Sequence, residues 1–259
     1  MTETLVTEYV ATNIAELTTG LVEITKDFGD IRAWWRGHED VSWQLIPSLY
    51  RRGLADSESN LTGRFRTMAG TRYQQCPGPD DLFGWLSLMQ HYRLPTRLLD
   101  WSESPLVALF FALEGPTDDT DGAIWAMMPT RLNLNQIPGR ENILLPQASE
   151  LRTLLTQAFG ATTTDSRTLA VEPNQSDLRH MMQQAVFTIH GGNIPTNELP
   201  GSEHFVARIR IPAASKGYFR QLLPLYGISR ANLFPDLENL AKELASLKFM
   251  TVDQGKESR

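Results

Sequence analysis

The segment from Ser104 to Gly115, SPLVALFFALEG, constrains this chain more than any other. Serine followed by proline suits a helix start. The serine oxygen can cap free backbone N–H groups, and proline at the first helical position wastes no donor. The helix that follows is apolar on nearly every face and therefore has to be buried all round. Its apolar run reaches only from Pro105 to Leu113, far short of the ~20 residues that cross a bilayer. The rest of the chain must cover it. Directly before it, QHYRLPTRLLDWSE sets two arginines, a histidine, a tyrosine and an aspartate against this apolar segment. Either those groups serve a ligand or they form a buried structural network.

The bulk properties narrow the classes. With 259 residues, 41% of them hydrophobic, the chain can bury a sizeable core in one or two domains. A net charge of -6 argues against a broad basic surface for nucleic-acid phosphates, while leaving room for a local basic patch. Cys76 is the only cysteine, which excludes an intramolecular disulfide and a multi-cysteine zinc site. The N-terminal residues carry two early glutamates and no basic segment before an apolar run, so they do not read as a signal peptide. The expectation is a soluble, cytoplasmic protein with no membrane association.

Periodicity predicts an N-terminal helix ending near Phe28-Gly29-Asp30, then a strand in IRAWWRGHED stopped by Gly37. LTGRFRTMAGTRYQQ reads as a helix. So does DDLFGWLSLMQHY, where Leu82, Trp85, Leu86 and Met89 recur at helical spacing. GAIWAMMP and AVFTIHGG read as strands. In HFVARIRIP, Phe205, Ala207, Ile209 and Ile211 face one way while Arg208 and Arg210 face the other. Between about Arg131 and Glu172 the pattern supports one helix, around Glu150 to Phe159. Helices in ASKGYFRQLLPLYG and from about Pro235 to Leu247 follow, the last with a stripe of Leu237, Leu240, Ala241, Leu244 and Leu247. The sum is α+β: a single compact domain with a mixed or antiparallel sheet and packed helices. Residues 1–24 form an N-terminal helical extension, 25–250 the domain and 251–259 a polar tail.

The polar candidates cluster in a few places. Arg36, between Trp35 and Gly37, offers five donors in a fixed fork suited to a phosphate or carboxylate, and the glycine lets a ligand approach the backbone. A salt bridge to Asp40 or Asp100 would explain the same arginine. Asp100 has three uses open to it: capping a turn, pairing with Arg97, or orienting His91. A buried Asp–Arg pair survives only when well satisfied, so Arg97 and Asp100 suit architecture as well as binding. His91 and Tyr92 sit beside them, histidine being the natural proton carrier near neutral pH. Gln183 can offer donor and acceptor to a ligand or hold a loop. Asp236 and Glu238 fit a helix N-terminus. No HExxH-like pair of histidines builds a metal site, and no phosphate-cradling glycine loop is present.

These blocks together resemble the FRG domain family. WWRGHEDVSWQLIPSLYRRG carries the naming motif at Trp35, Arg36 and Gly37, followed by Trp43, Leu45 and Pro47. QHYRLPTRLLDWSESPLVALFFA is similar to the family's strongest block. RHMMQQAVFTI, with Arg179, Gln183 and Phe187, is similar to a third, and LYGISRANLFPDLENLAKEL to the C-terminal one. The likeness spans roughly residues 25 to 245. Arg93 stands where the family usually has glycine after His-Tyr, and Ala185 where a glycine is common.

The block order is in turn similar to that of the ADP-ribosyltransferase fold. That likeness implies NAD as cofactor, with Arg36 engaging its nucleotide part and Tyr92, Arg97 and Asp100 contributing to binding. Arg36, His91 and Gln183 would then be the catalytic set. Thr96, Ser102 or Tyr92 is the nearest equivalent of the usual Ser-Thr-Ser or tyrosine feature. Gln183 is the nearest by block order to the usual late glutamate, and Asp236 a poorer one. The implied reaction is cleavage of the nicotinamide–ribose bond, by water or by an acceptor group that the sequence does not choose. The FRG resemblance also implies settings of bacterial or phage conflict. There a non-catalytic module binding a nucleotide or a protein partner is the competing reading. Oligomeric state is left open.

Overall fold

The computed structural model describes residues 6–29, 32–115, 119–162, 164–173 and 178–246. The polar tail at 251–259 and Leu247 lie outside them. Seven strands form one sheet: β1 (Thr7–Val10), β2 (Trp34–His38), β3 (Leu98–Ser102), β4 (Gly122–Met127), β5 (Thr168–Val171), β6 (Ala185–His190) and β7 (Val206–Ile211). Their spatial order is β1-β7-β4-β2-β3-β6-β5. Among the described strand pairs only β1 against β7 is parallel, so the sheet is mixed and the fold α+β. Eleven α-helices are seen among the described residues: α1 (Ile14–Asp27), α2 (Ser48–Arg51), α3 (Glu58–Ala69), α4 (Leu82–His91), α5 (Pro105–Ala112), α6 (Pro129–Gln136), α7 (Arg152–Ala158), α8 (Leu178–Gln183), α9 (Lys216–Leu222), α10 (Arg230–Leu233) and α11 (Leu237–Ser246). None of the described helices is long and apolar enough to cross a membrane.

Helix α5 begins as its sequence requires. Pro105 occupies the first turn and the Ser104 side chain accepts from the Val107 N–H. Val107, Ala108, Leu109 and Ala112 are buried, but Leu106, Phe110 and Phe111 are only half-buried. The expectation of burial on every face is therefore corrected. One side of α5 packs on β2 and β4, while Phe111 edges onto Phe234 just after α10. The main core joins α1, α5 and the sheet through Leu17, Ile24, Trp34, Trp125, Leu109 and Ile209. A second core lies between α3, α4 and α7 and strands β3, β5 and β6, around Leu86, Met89, Leu154 and Phe187.

Some boundaries move. β2 runs through Gly37 to His38 rather than stopping at the glycine. The stretch from Arg131 to Glu172 holds α6 and β5 besides the expected helix. Buried Asn133 ties these two together by accepting from Ala170 N at 2.7 Å and donating to Ala170 O at 3.0 Å. Ahead of α1, residues 7–10 supply the edge strand paired with β7. The leucine stripe on α11 faces largely outward, with Leu237 83% exposed.

Gly37 explains how α5 reaches the sheet. A Cβ built on it overlaps the Ala108 carbonyl oxygen and lies 2.6 Å from Ala112 N; one built on Gly122 lies 2.9 Å from Ala112 O. The close approach made possible at Gly37 is thus by the protein's own helix, a use of the glycine that its sequence context does not suggest. Gly37→Ala should destabilise the fold by about 1–3 kcal/mol through overpacking. Gly63→Ala, in α3 with open space around it, should stabilise by about 0.5–1 kcal/mol. Denaturant unfolding of the two variants checks this, and equal effects would contradict the packing assignment.

Candidate functional site

The two central strands part. β2 pairs with β4 at five positions and β3 with β6 at five, but β2 and β3 share only Trp35↔Ser102. Beside that single pair lies a cleft of about 430 Å³, lined by every residue from Trp35 to Glu39 and by Asp100, Trp101 and Ser102. Successive residues of a strand point to opposite faces. Four consecutive residues of β2 in the lining, Trp35 to His38, therefore mark an opening between strands rather than a groove on one face. Helices complete the walls: Ser48 and Arg51 of α2, Gln90 and His91 of α4, Ala108 and Phe111 of α5, and Arg179, His180 and Gln183 of α8.

Arg36 bridges the gap. Its Nη1 donates to the Asp100 carbonyl oxygen at 2.5 Å and lies 4.0 Å from Asp100 Oδ2, and its Nε donates to His38 Nε2 at 3.0 Å. The first bond satisfies a backbone acceptor at the point where the strands separate. His38 then has one consistent tautomer: Nε2 accepts from Arg36, and Nδ1 carries the proton toward Trp43 O at 3.2 Å. Burial, with the Arg36 charge adding to it, holds His38 well below the ordinary histidine range. Neutral, it can go on accepting from the arginine. Burial also lowers Arg36, and Asp100 works against that effect.

Asp100 is half in solvent, its side chain 52% exposed, and its Oδ2 accepts from Gln90 Nε2 at 2.8 Å. Gln90 is oriented in turn by Thr96, whose hydroxyl donates to Gln90 Oε1 at 2.6 Å. Five arginines line the cleft (Arg36, Arg51, Arg52, Arg93 and Arg179) against two acids, Glu39 and Asp100. In a chain of net charge -6, this is a local concentration of positive charge suited to an anion.

The later blocks close the far wall. Ser102 Oγ donates to Gln183 O at 2.8 Å, and Gln183 Nε2 donates to Leu233 O at 3.0 Å. The Arg179 guanidinium lies 4.7 Å from the Phe234 ring centroid, with Arg230 at 5.1 Å from the same ring. Arg93 and Gln184 are the two non-glycine residues among those described with positive φ, 64° and 46°. Arg93 lines the cleft and Gln184 directly follows Gln183. Such backbone costs about 1–3 kcal/mol and gathers at functional sites. A glycine adopts such backbone freely, whereas Arg93 and Gln184 do so at that cost.

Of the residues singled out from sequence, Arg36, His91, Asp100 and Gln183 meet at the cleft, whereas Arg97 and Tyr92 do not line it. Arg97 is 3% exposed and pairs with Glu58 rather than with Asp100. Its Nε donates to Glu58 Oε1 at 2.9 Å, its Nη2 pairs with Glu58 Oε2, and its Nη1 donates to Leu154 O at 3.1 Å. Burial alone would lower Arg97, but the bonds and charge of Glu58 outweigh it and hold it raised. Tyr92 is exposed and lies edge-on to Tyr73 and His91. Asp40 accepts from Ser42, and Asp236 caps α11 through Asn239. His190, buried beside Thr188, is pushed down to about 3 by burial, with Arg36 and Arg97 adding to it. No group of three or more metal-ligating side chains occurs among the described residues.

Gln90, His38, Arg51, Arg93 and Arg179 were not marked as site residues by sequence reasoning. Signals were present for Arg93, as the departure from glycine, and for Arg179, as a residue of the RHMMQQAVFTI block. This is an α+β protein with an arginine-lined cleft between parted central strands. Residues 31–121, less than half of the chain, match the family model of the FRG domain. No curated protein and no solved structure matches the chain.

Removing one partner of a buried ion pair leaves an uncompensated charge. Glu58→Ala should therefore cost about 3–5 kcal/mol in denaturant unfolding, and a loss under 1 kcal/mol would contradict the architectural role of Arg97.

Proposed function

We propose that the cleft binds a phosphate-bearing ligand of the nucleotide class, with NAD the first member to test. The observation that carries this reading is the Arg36 fork. Two of its edges are fixed, by His38 and by the Asp100 carbonyl, and no described residue engages its Nη2. A guanidinium held in place in this way loses little entropy when it takes up a phosphate. Arg51, Arg52, Arg93 and Arg179 surround it.

One further feature favours turnover over binding alone. Cleaving the nicotinamide–ribose bond develops positive charge on the ribose, and a carboxylate helps only if its interaction strengthens in the transition state. Asp100, solvent-accessible and oriented by Gln90, is such a carboxylate inside the same cleft, and Glu39 is a second. Gln183 already donates its amide to Leu233 O, so it serves this reading as a wall that positions α8. Water attack would release free ADP-ribose, while attack by an acceptor group would transfer it. A nucleotide-binding module without turnover keeps the same arginines and needs neither acid.

Titration with NAD and with pyrophosphate should show saturable, salt-sensitive binding. Arg36→Lys should weaken both ligands about 10- to 100-fold, the equivalent of losing a charge-assisted bond of about 1.5–3 kcal/mol. Nicotinamide release that vanishes in Asp100→Asn with NAD binding intact supports the enzyme. Binding without release supports the module. No binding of either ligand by the folded protein would overturn the proposal.

A further inference from the structure

The cleft has more room than phosphate recognition requires. About 430 Å³ lies within the ~300–1,000 Å³ typical of sites that enclose a whole organic ligand, and the arginines account only for the anionic part. Trp43 supplies a candidate surface for the remainder. It lines the cleft and is 45% exposed, whereas Trp34, Trp35, Trp85, Trp101 and Trp125 are all buried.

The loop that carries Trp43 is pinned. Asp40 Oδ1 accepts from both Ser42 N and Ser42 Oγ, Trp43 N donates to Asp40 O at 3.1 Å, and Val41 N donates to Asp121 O at 2.8 Å. The Trp43 carbonyl then receives His38 Nδ1, the same imidazole that holds Arg36. The indole lies 5.9 Å from the His38 ring, tilted by 60°. The other five tryptophans fill the core and are buried. This one leaves much of its surface in water while its backbone is fixed relative to the arginine.

We propose that Trp43 is the platform on which the ligand's planar base stacks, so that the cleft selects nucleotides over smaller phosphates and sugar phosphates. The inference rests on the anion-binding reading of the same cleft and adds a specificity-determining residue to it. The base contributes through its π-face, and Arg36, two residues from His38, contributes the phosphate contact. Stacking on an aromatic side chain is sequence-tolerant, because every base presents such a face. Trp43 therefore sets a preference for a base without choosing which one.

The test compares pyrophosphate, ribose 5-phosphate and adenosine monophosphate by calorimetric titration of the full chain, Trp43→Phe and Trp43→Ala. In the unaltered chain the mononucleotide should bind about tenfold or more tighter than ribose 5-phosphate. Trp43→Phe should keep most of that preference and Trp43→Ala should abolish it, with pyrophosphate affinity the same in all three proteins. A preference that survives Trp43→Ala, or is missing from the unaltered chain while pyrophosphate binds, overturns the platform and leaves the anion site standing. Failure of all three ligands to bind the unaltered chain overturns both.

Discussion

The close seating of α5 on β2 fixes where everything else in the cleft can be. At Gly37 the helix backbone stands where a side chain would otherwise be, and Gly122 of β4 repeats the arrangement against the end of the same helix. Ala108 and Ala112, the small residues of α5, meet the sheet at this point, and bulk on either side would push the layers apart. β2 is thereby held between α5 and β4. It parts from β3 after a single register pair, and the opening is spanned by a side chain instead of a ladder. The aromatic-Arg-Gly sequence thus has two jobs in adjacent residues: the glycine admits the helix, and the arginine bridges the gap.

Two arginines separated by the central block show how satisfaction distinguishes scaffold from site. Arg97, just before β3, gives its fork to both oxygens of a buried carboxylate and a third donor to a helix carbonyl, linking α3 and α7. It is buried and does not line the cleft. Arg36 meets a neutral imidazole and one carbonyl, and the nearest carboxylate stands 4.0 Å away and half in solvent. Its charge is therefore only partly compensated, in surroundings where electrostatic interactions are stronger than in water. Neutral His38 is essential to this state, since a proton on Nε2 would remove the acceptor and set two cations side by side.

Much of the fold was legible because it follows from local rules. The Ser104-Pro105 start, the helical spacing of Leu82, Trp85, Leu86 and Met89, and the alternation in HFVARIRIP each describe one element. The strands missed, β1, β3 and β5, depend on non-local pairing, and the short helices α2, α6, α8 and α10 were missed as well. β1 exists by pairing with β7, and β5 by pairing with β6 and by bonding to Asn133 across α6. The candidate site was legible as residue types and not as partners. Glu58, 39 residues before Arg97, carried no mark that would pair it with that arginine rather than Asp100. Gly37 looked like a ligand contact because close backbone approach by a ligand and by a helix ask the same thing of a residue. The C-terminal LFPD segment meets α8 only through tertiary packing, by way of Phe234 and the Leu233 carbonyl.

The most direct measurement is the ¹H–¹⁵N spectrum of the arginine Nε groups recorded during a pyrophosphate titration, with resonances assigned by single Arg→Lys replacement. Arg36 Nε–H should be slowly exchanging through its bond to His38 and should shift saturably as pyrophosphate is added, while Arg97 Nε–H, sealed against Glu58, should stay where it is. An Arg36 resonance that does not respond, or an equal response from both arginines, would contradict the assignment of one as ligand-binding and the other as scaffold.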